Sequence, residues 1–359
     1  MEKYCYVCGK KIEEKDFHYN IGTNSYICDN ETTFCISSRS DLENLATEVN
    51  NGDTKSGKTY ILTQNIDLGG KFDSTGNPQS GNNPWTPIGS STKPFSGTFD
   101  GAGHVITGMY IDVDTTQVGL FSTVNGGTIK NLGIENSYVK SNQQTTAGIV
   151  GKLENKSNIL NCYNKATISG RKYTSGIVGA LVNSTIKNCY NTGEINSNGQ
   201  QFAAGIVGYV NNANSTIENC YNAGTITGAY QPGGIVGGLQ GKVINSYNLG
   251  KITSTNQGGG IVGQAYNSPT LIGNYNISTT NGGIVGAIEG TKTPIINNNF
   301  FLDTSATYGL NSTSSNEGAN PLSSNDMPDV ISIINGENAY TYDTKGINNG
   351  YPILKWQNN

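Results

Sequence analysis

The chain has 359 residues, 48 of them glycine, with only 13% charged residues and a net charge of −4. Arg39 and Arg171 are its two arginines, which argues against a nucleic-acid-binding surface and against an arginine-lined anion site. So much glycine with so little charge fits a turn-dense β-structure, and no stretch is long and apolar enough to span a membrane.

In chain order, the residues from Met1 to Lys11 hold no apolar run and do not read as a signal peptide, so the chain is expected to be made in the cytoplasm without an export leader. Four of the seven cysteines fall in the first 35 residues, as Cys5-x2-Cys8 and Cys28-x6-Cys35. With Gly9 after the first pair, this spacing suits four thiolates closing a tetrahedral site for one structural Zn²⁺, with His18 as the substitute ligand if Cys35 does not reach. So short a segment needs such a staple to fold. Residues 1–36 therefore read as a zinc-ribbon-like module with no open coordination position. Two disulfides are the competing reading, which the missing export leader disfavours.

Residues 37–54 read as a capping helix. Ser40-Asp-Leu-Glu43 has the form of a capping box, Leu42, Leu45, Ala46 and Val49 recur on one face, and Asn51-Gly52 stops the helix. Thr59–Thr63 then has strand character. The polar segment 71–94, with Trp85, is long enough to be functional or to cover the neighbouring chain. Among the acids only Asp112 and Asp114 are close with a shared strand face, and a solvated edge accounts for them. His104 reads as a packing residue. Asp100, Glu135, Glu154, Glu194, Glu218 and Glu289 are scattered, so no convergent carboxylates of the kind a glycosidase or lyase needs are visible.

Beyond residue 118 two phrases alternate. Gly-Ile-Val-Gly recurs with its leading glycine at 148, 176, 205, 234, 260 and 283, in steps of 28, 29, 29, 26 and 23 residues, and Gly119-Leu-Phe121 is an earlier copy. Asn-Cys-Tyr-Asn follows at 161–164, 188–191 and 219–222, then Asn245-Ser-Tyr-Asn248 and the weaker Gly273-Asn-Tyr-Asn276. Each period holds three short apolar stretches rich in Ile, Val, Tyr and Thr, none long enough for a helix. The period predicts a right-handed parallel β-helix over 55–320, a solenoid of ~28-residue coils with three strands each, stacked at ~4.8 Å to a rod of roughly 40 Å. The Cys and Tyr files are expected on opposite faces of one sheet, with Cys162, Cys189 and Cys220 reduced. The last Asn of each phrase is expected at a left-handed corner, and the Gly-Ile-Val-Gly glycines at corners or where only a hydrogen fits. Residues 321–359 read as a C-terminal cap, with a helix-like run at 330–334, and Tyr351, Pro352 and Trp356 are expected to plug the last coil.

The ordered matches Trp85-Thr-Pro-Ile-Gly89, Phe95–Ile106, Gly119-Leu-Phe121, the repeats and Asn349–Trp356 resemble the GLUG-motif family over most of residues 41–357. The resemblance implies stalks and spacers of bacterial surface, adhesin-type and some phage-encoded proteins, with no shared catalytic residues. The expected function is non-catalytic. The leading reading is a phage virion protein of the tail or capsid surface, docked to a virion or cell-surface protein by the zinc module and projecting a rod toward host glycan. A bacterial cell-surface adhesin or stalk is the alternative, and a β-helix polysaccharide lyase or hydrolase the second alternative.

Overall fold

The computed structural model describes residues 32–290, 293–325, 332 and 338–358, together with the backbones alone of Lys3–Tyr4, Lys11–Ile12, Phe17–Asn20 and Ser25–Cys28. Each repeat closes one coil of a parallel β-solenoid. A representative coil contains Tyr138–Ala147, Val150–Glu154, Asn158–Leu160 and Tyr163–Asn164. Matching strands of successive coils pair in parallel to give four long sheets, numbered here in that order, and about ten coils. The coil thus has four strands, not the three expected. The apolar stretch 159–163 is broken at Asn161, whose φ of +53° turns the chain between the third and fourth sheets.

Register follows chemistry. In the second sheet Val150, Val178, Val207, Val236, Val262 and Val285 lie in one file, and in the third sheet Ile159 stacks on Ile186 and Ile217. All of these are fully buried, each contributing about 1.5–3 kcal/mol of burial. One continuous apolar core runs from Ile36 to Ala319. β-Branched residues suit it because strand side chains alternate between the core and the outside.

The corner asparagine is the first of each phrase, not the last. Asn131, Asn161, Asn188, Asn219 and Asn245 all have φ near +50°, a conformation asparagine tolerates. The last asparagine points inward and is fully buried at 164, 191, 222, 248 and 276. Each amide donates to the next one, at 2.8 Å from Asn164 to Asn191, from Asn191 to Asn222 and from Asn222 to Asn248, and at 2.9 Å from Asn248 to Asn276. Each also donates to a carbonyl two residues ahead, as Asn222 does to Gly224 at 2.9 Å. This satisfies polar groups that would be costly if left unpaired in the core. Beside it, Cys162, Cys189 and Cys220 are buried free thiols in one file, as expected, and Ser246 Oγ takes over by accepting from the Cys220 N–H at 3.1 Å.

The repeated glycines are explained by close approach, since none of those in the six Gly-Ile-Val-Gly copies has positive φ. A Cβ on Gly148, Gly176 or Gly205 would stand 2.3–2.5 Å from the inward Asn164, Asn191 or Asn222 of its own coil. The two phrases are therefore the halves of one lock, a buried amide and the gap that admits it.

The first coil is covered by the helix Arg39–Asn51, which buries Leu42, Leu45, Ala46 and Val49 and ends on Gly52 at φ +114°. Its N-cap is Ser38, whose side chain accepts from the Asp41 N–H at 3.1 Å, while Asp41 accepts from the Ser37 N–H at 2.9 Å. The capping box thus sits two residues earlier than the expected Ser40–Glu43, because an aspartate at the third helical position reaches back as a glutamate would. Thr33–Ile36 pairs in parallel with Thr59–Leu62, and Ser25–Cys28 continues the third sheet in antiparallel sense. Of the helix-like run expected at 330–334, only Ser332 lies within the described residues.

Candidate functional site

The fourth sheet turns its tyrosines outward. Tyr163, Tyr190, Tyr221 and Tyr247 stack with ring centroids 4.8, 5.0 and 4.9 Å apart and interplanar angles of 5° or less, and Tyr275 continues the register. The coil rise brings identical rings to stacking distance, worth about 0.5–1.5 kcal/mol per pair.

This face is not open. The C-terminal segment lies along it as a strap, with Tyr340–Thr341 paired to Ile353–Leu354 and a short 3-10 turn at Lys355–Asn358. Tyr340 Oη donates to the Asn245 carbonyl at 2.8 Å, Tyr247 Oη donates to the Pro352 carbonyl, and Asn348 Nδ2 donates to Tyr247 Oη at 3.0 Å. Gln357 Nε2 donates to Tyr221 Oη at 2.9 Å. Trp356 rests against Tyr163 and Tyr190, at 6.3 and 5.7 Å between centroids, and its Nε1 donates to the Asn188 carbonyl at 3.1 Å. Pro352 and Trp356 therefore do not plug the last coil. They run back along the rod flank and lie against the file of tyrosine rings. Burial pushes the Tyr247 and Tyr340 phenols well above their ordinary range.

The ladder stops at Tyr163, because the preceding coil has Gly133 in register. The Tyr163 ring lies over Gly133, where a Cβ would stand 2.3 Å from it. Tyr163 Oη donates to Glu135 at 2.7 Å, and Lys165 pairs with Glu135 at 2.8 Å while its ammonium sits 5.2 Å from the ring centroid. Burial opposes the Glu135 charge, but the bonds from Lys165 and Tyr163 prevail and hold its carboxyl below the usual range. Beside this step is a cavity of about 450 Å³ lined by Asp100, Asn131, Gly133, Asn161, Tyr163 and Trp356, with Ala102 and Gly103 at its rim.

The expected site residues fare differently. Cys5 and Cys8 lie outside the described residues, Cys28 is placed by its backbone alone, and His18 likewise. Cys35 is buried and its sulfur is in a disulfide, as the competing reading had it for this one cysteine. Among the described residues no three metal-ligating side chains come together. Of the two readings of segment 71–94 the structure has the cover: Trp85 is 3% exposed and its Nε1 donates to the Leu120 carbonyl at 3.3 Å, over early coils. The acids pair along the coils, Asp112 with Lys140 at 3.1 Å, Asp114 with Gln143 at 3.1 Å and Asp100 with Lys130 at 3.1 Å.

No family model matches the chain. Residues of the chain are similar to part of halomucin from Haloquadratum walsbyi, 29% identical over 153 residues, which is 42% of this chain and 2% of that protein. Zinc metalloprotease ZmpC of Streptococcus pneumoniae is 34% identical over 95 residues, 25% of this chain and 5% of that protein. A candidate Gly-rich membrane protein of Evansella cellulosilytica is 29% identical over 111 residues, 30% of this chain and 12% of that protein. The chain thus spans a small fraction of each relative's length. A crystal structure of a candidate immunoglobulin A1 protease from Bacteroides ovatus shares the fold, with a TM-score of 0.59 and 22% identity over 90% of this chain and 92% of that one. Among the described residues no helix is long and apolar enough to cross a membrane.

Proposed function

We propose that the chain is a non-catalytic stalk and attachment segment of a cell-surface protein. One observation carries the reading: the repeated residues, the inward asparagines, the buried thiols, the valine file and the glycines that admit them, are all committed to coil-to-coil contact. Such a solenoid has rigidity and length as its product. The partial likeness to a membrane protein and to halomucin favours the surface stalk among the sequence-based readings over the virion. Asp100, Asp112, Asp114, Glu135, Glu154, Glu218 and Glu289 each have a partner side chain along the rod, which supports a rod without hydrolytic chemistry.

The coil is taken as right-handed, the usual sense of parallel crossovers. In the reduced chain, Cys5, Cys8, Cys28 and Cys35 are proposed to hold one Zn²⁺ and to form the docking end. Their spacing supports this.

The test is antibody labelling of intact cells that express the chain, with protease shaving as control. Surface labelling that shaving removes is the expected result. Confinement to the soluble lysate would overturn the surface reading, and recovery on purified phage particles would restore the virion one. Cleavage of a polysaccharide by the purified chain would end the non-catalytic reading.

A further inference from the structure

The geometry points to a carbohydrate-binding site in the cavity where the tyrosine ladder ends, taking a neutral pyranose. This deepens the attachment reading and rests on it for its biological sense, but its physical basis is the cavity alone. Three features meet there. Two aromatic rings, Tyr163 and Trp356, form one wall. Because Gly133 replaces the next tyrosine, the file ends in a step against which a flat ligand can lie. The lining also holds a row of amides ending in a carboxylate. Asn161 Nδ2 donates to Asn131 at 3.0 Å, and Asn131 Nδ2 donates to Asp100 at 3.0 Å. Each of these amides uses one N–H within the file and keeps the other for a ligand.

A pyranose matches this pattern. Its C–H face packs on aromatic rings, and its vicinal hydroxyls both donate and accept, as amides and a carboxylate require. Charge decides between sugars. The Asp100 carboxylate is already paired with Lys130 at 3.1 Å, and Lys165 is engaged by Glu135. None of the described residues that line the cavity carries a positive charge to attract a uronic or sialic acid. The cavity is of the size that encloses one or two sugar rings. A single site of this kind binds weakly, and many copies on a surface supply avidity.

Trp356 is one of two tryptophans, and the other, Trp85, is buried away from solvent. Intrinsic fluorescence of the full chain therefore reports this wall directly. The probes are tetrasaccharides of glucose, galactose, mannose and N-acetylglucosamine, with polygalacturonate as the anionic comparison and calorimetry as the second readout. At least one neutral tetrasaccharide should give a saturable change. Tyr163→Ala should weaken it at least about tenfold, the loss of one good stacking contact, while Tyr163→Phe keeps it within about threefold. Asn161→Gly, which keeps the left-handed corner, should weaken it about threefold or more. The inference is overturned if no neutral tetrasaccharide registers in either readout, if only polygalacturonate binds, or if Tyr163→Ala and Asn161→Gly bind like the wild type. A chain that labels on intact cells yet binds no sugar loses this site and keeps its role as a stalk.

Discussion

Asn222 shows how much one buried side chain does. Its amide accepts from Asn191 at 2.8 Å and from the Gly224 N–H at 3.2 Å, and donates to Asn248 at 2.8 Å and to the Gly224 carbonyl at 2.9 Å. Asn222→Ala would leave two or more buried groups unpaired at about 1–3 kcal/mol each, so a loss of at least about 2 kcal/mol is expected in denaturant unfolding. Asn188 is the contrasting case. It serves as a left-handed corner with φ +56° and is part-exposed. Asn188→Gly should cost under about 1 kcal/mol, because glycine adopts that φ without strain. Equal effects at the two positions would mean that the corner and the lock had been assigned the wrong way round. The phrase Asn-Cys-Tyr-Asn marks both asparagines equally. Which one turns and which one points inward depends on where the strand breaks, and a repeated pattern alone does not fix that.

At the scale of elements, the strap makes the tyrosine ladder part of the folded core. Tyr190, Tyr221, Tyr247, Tyr275 and Tyr340 are at most 6% exposed, and burial raises their phenol pKa values above the ordinary 10.0. An unfolded tyrosine ionises near 10, whereas a buried one stays neutral. The stability they contribute is therefore complete below about pH 10 and is lost as pH rises past it, by about 1.4 kcal/mol per pH unit for each phenol. Tyr60, pushed up to about 12 by burial in the third sheet, adds in the same direction. In an alkaline titration followed by phenolate absorbance and circular dichroism, the ladder phenols should ionise only as the fold is lost. Removing residues 338–359 should bring phenol ionisation back toward 10 while the sheet signal persists. Tyrosines outside the ladder such as Tyr342, 61% exposed, do not bear on the strap; ionisation of the ladder phenols near pH 10, with the fold unchanged, would contradict it.

The whole molecule is close to one-dimensional, with each coil contacting its neighbours. Deleting residues 205–233 would join Ala204 to Gly234 and keep the Gly-Ile-Val-Gly phase. The four sheets should therefore reform one coil shorter and still unfold cooperatively. The strap, however, spans fixed positions, from Tyr340 at Asn245 to Trp356 at Asn188. With Tyr221 gone the two anchors can no longer be met together. Trp356 fluorescence should shift to the red and the melting temperature should fall. Loss of the sheet signal on this deletion would show that coils are not interchangeable.

By itself the sequence determined the periodic part of this protein. The spacing of Gly-Ile-Val-Gly and Asn-Cys-Tyr-Asn set the coil, the thiol file and the outward tyrosines, because in-register stacking places identical residues together whatever lies beyond. The helix over the first coil was equally legible from Leu42, Leu45, Ala46 and Val49. Only the tertiary structure decided where the non-repeating pieces go. The segment around Trp85 reads equally as a functional loop or as a cover, and the burial of Trp85 over early coils decides for the cover. Trp356 reads as an end plug, and it lies instead some 168 residues back along the chain at Asn188. Local pattern encodes which face of a strand is apolar, but what covers an apolar face depends on area and distance in three dimensions. The cavity at Gly133 belongs to this second class. A glycine in a tyrosine file is visible in the sequence, but the wall that Trp356 builds beside it is not.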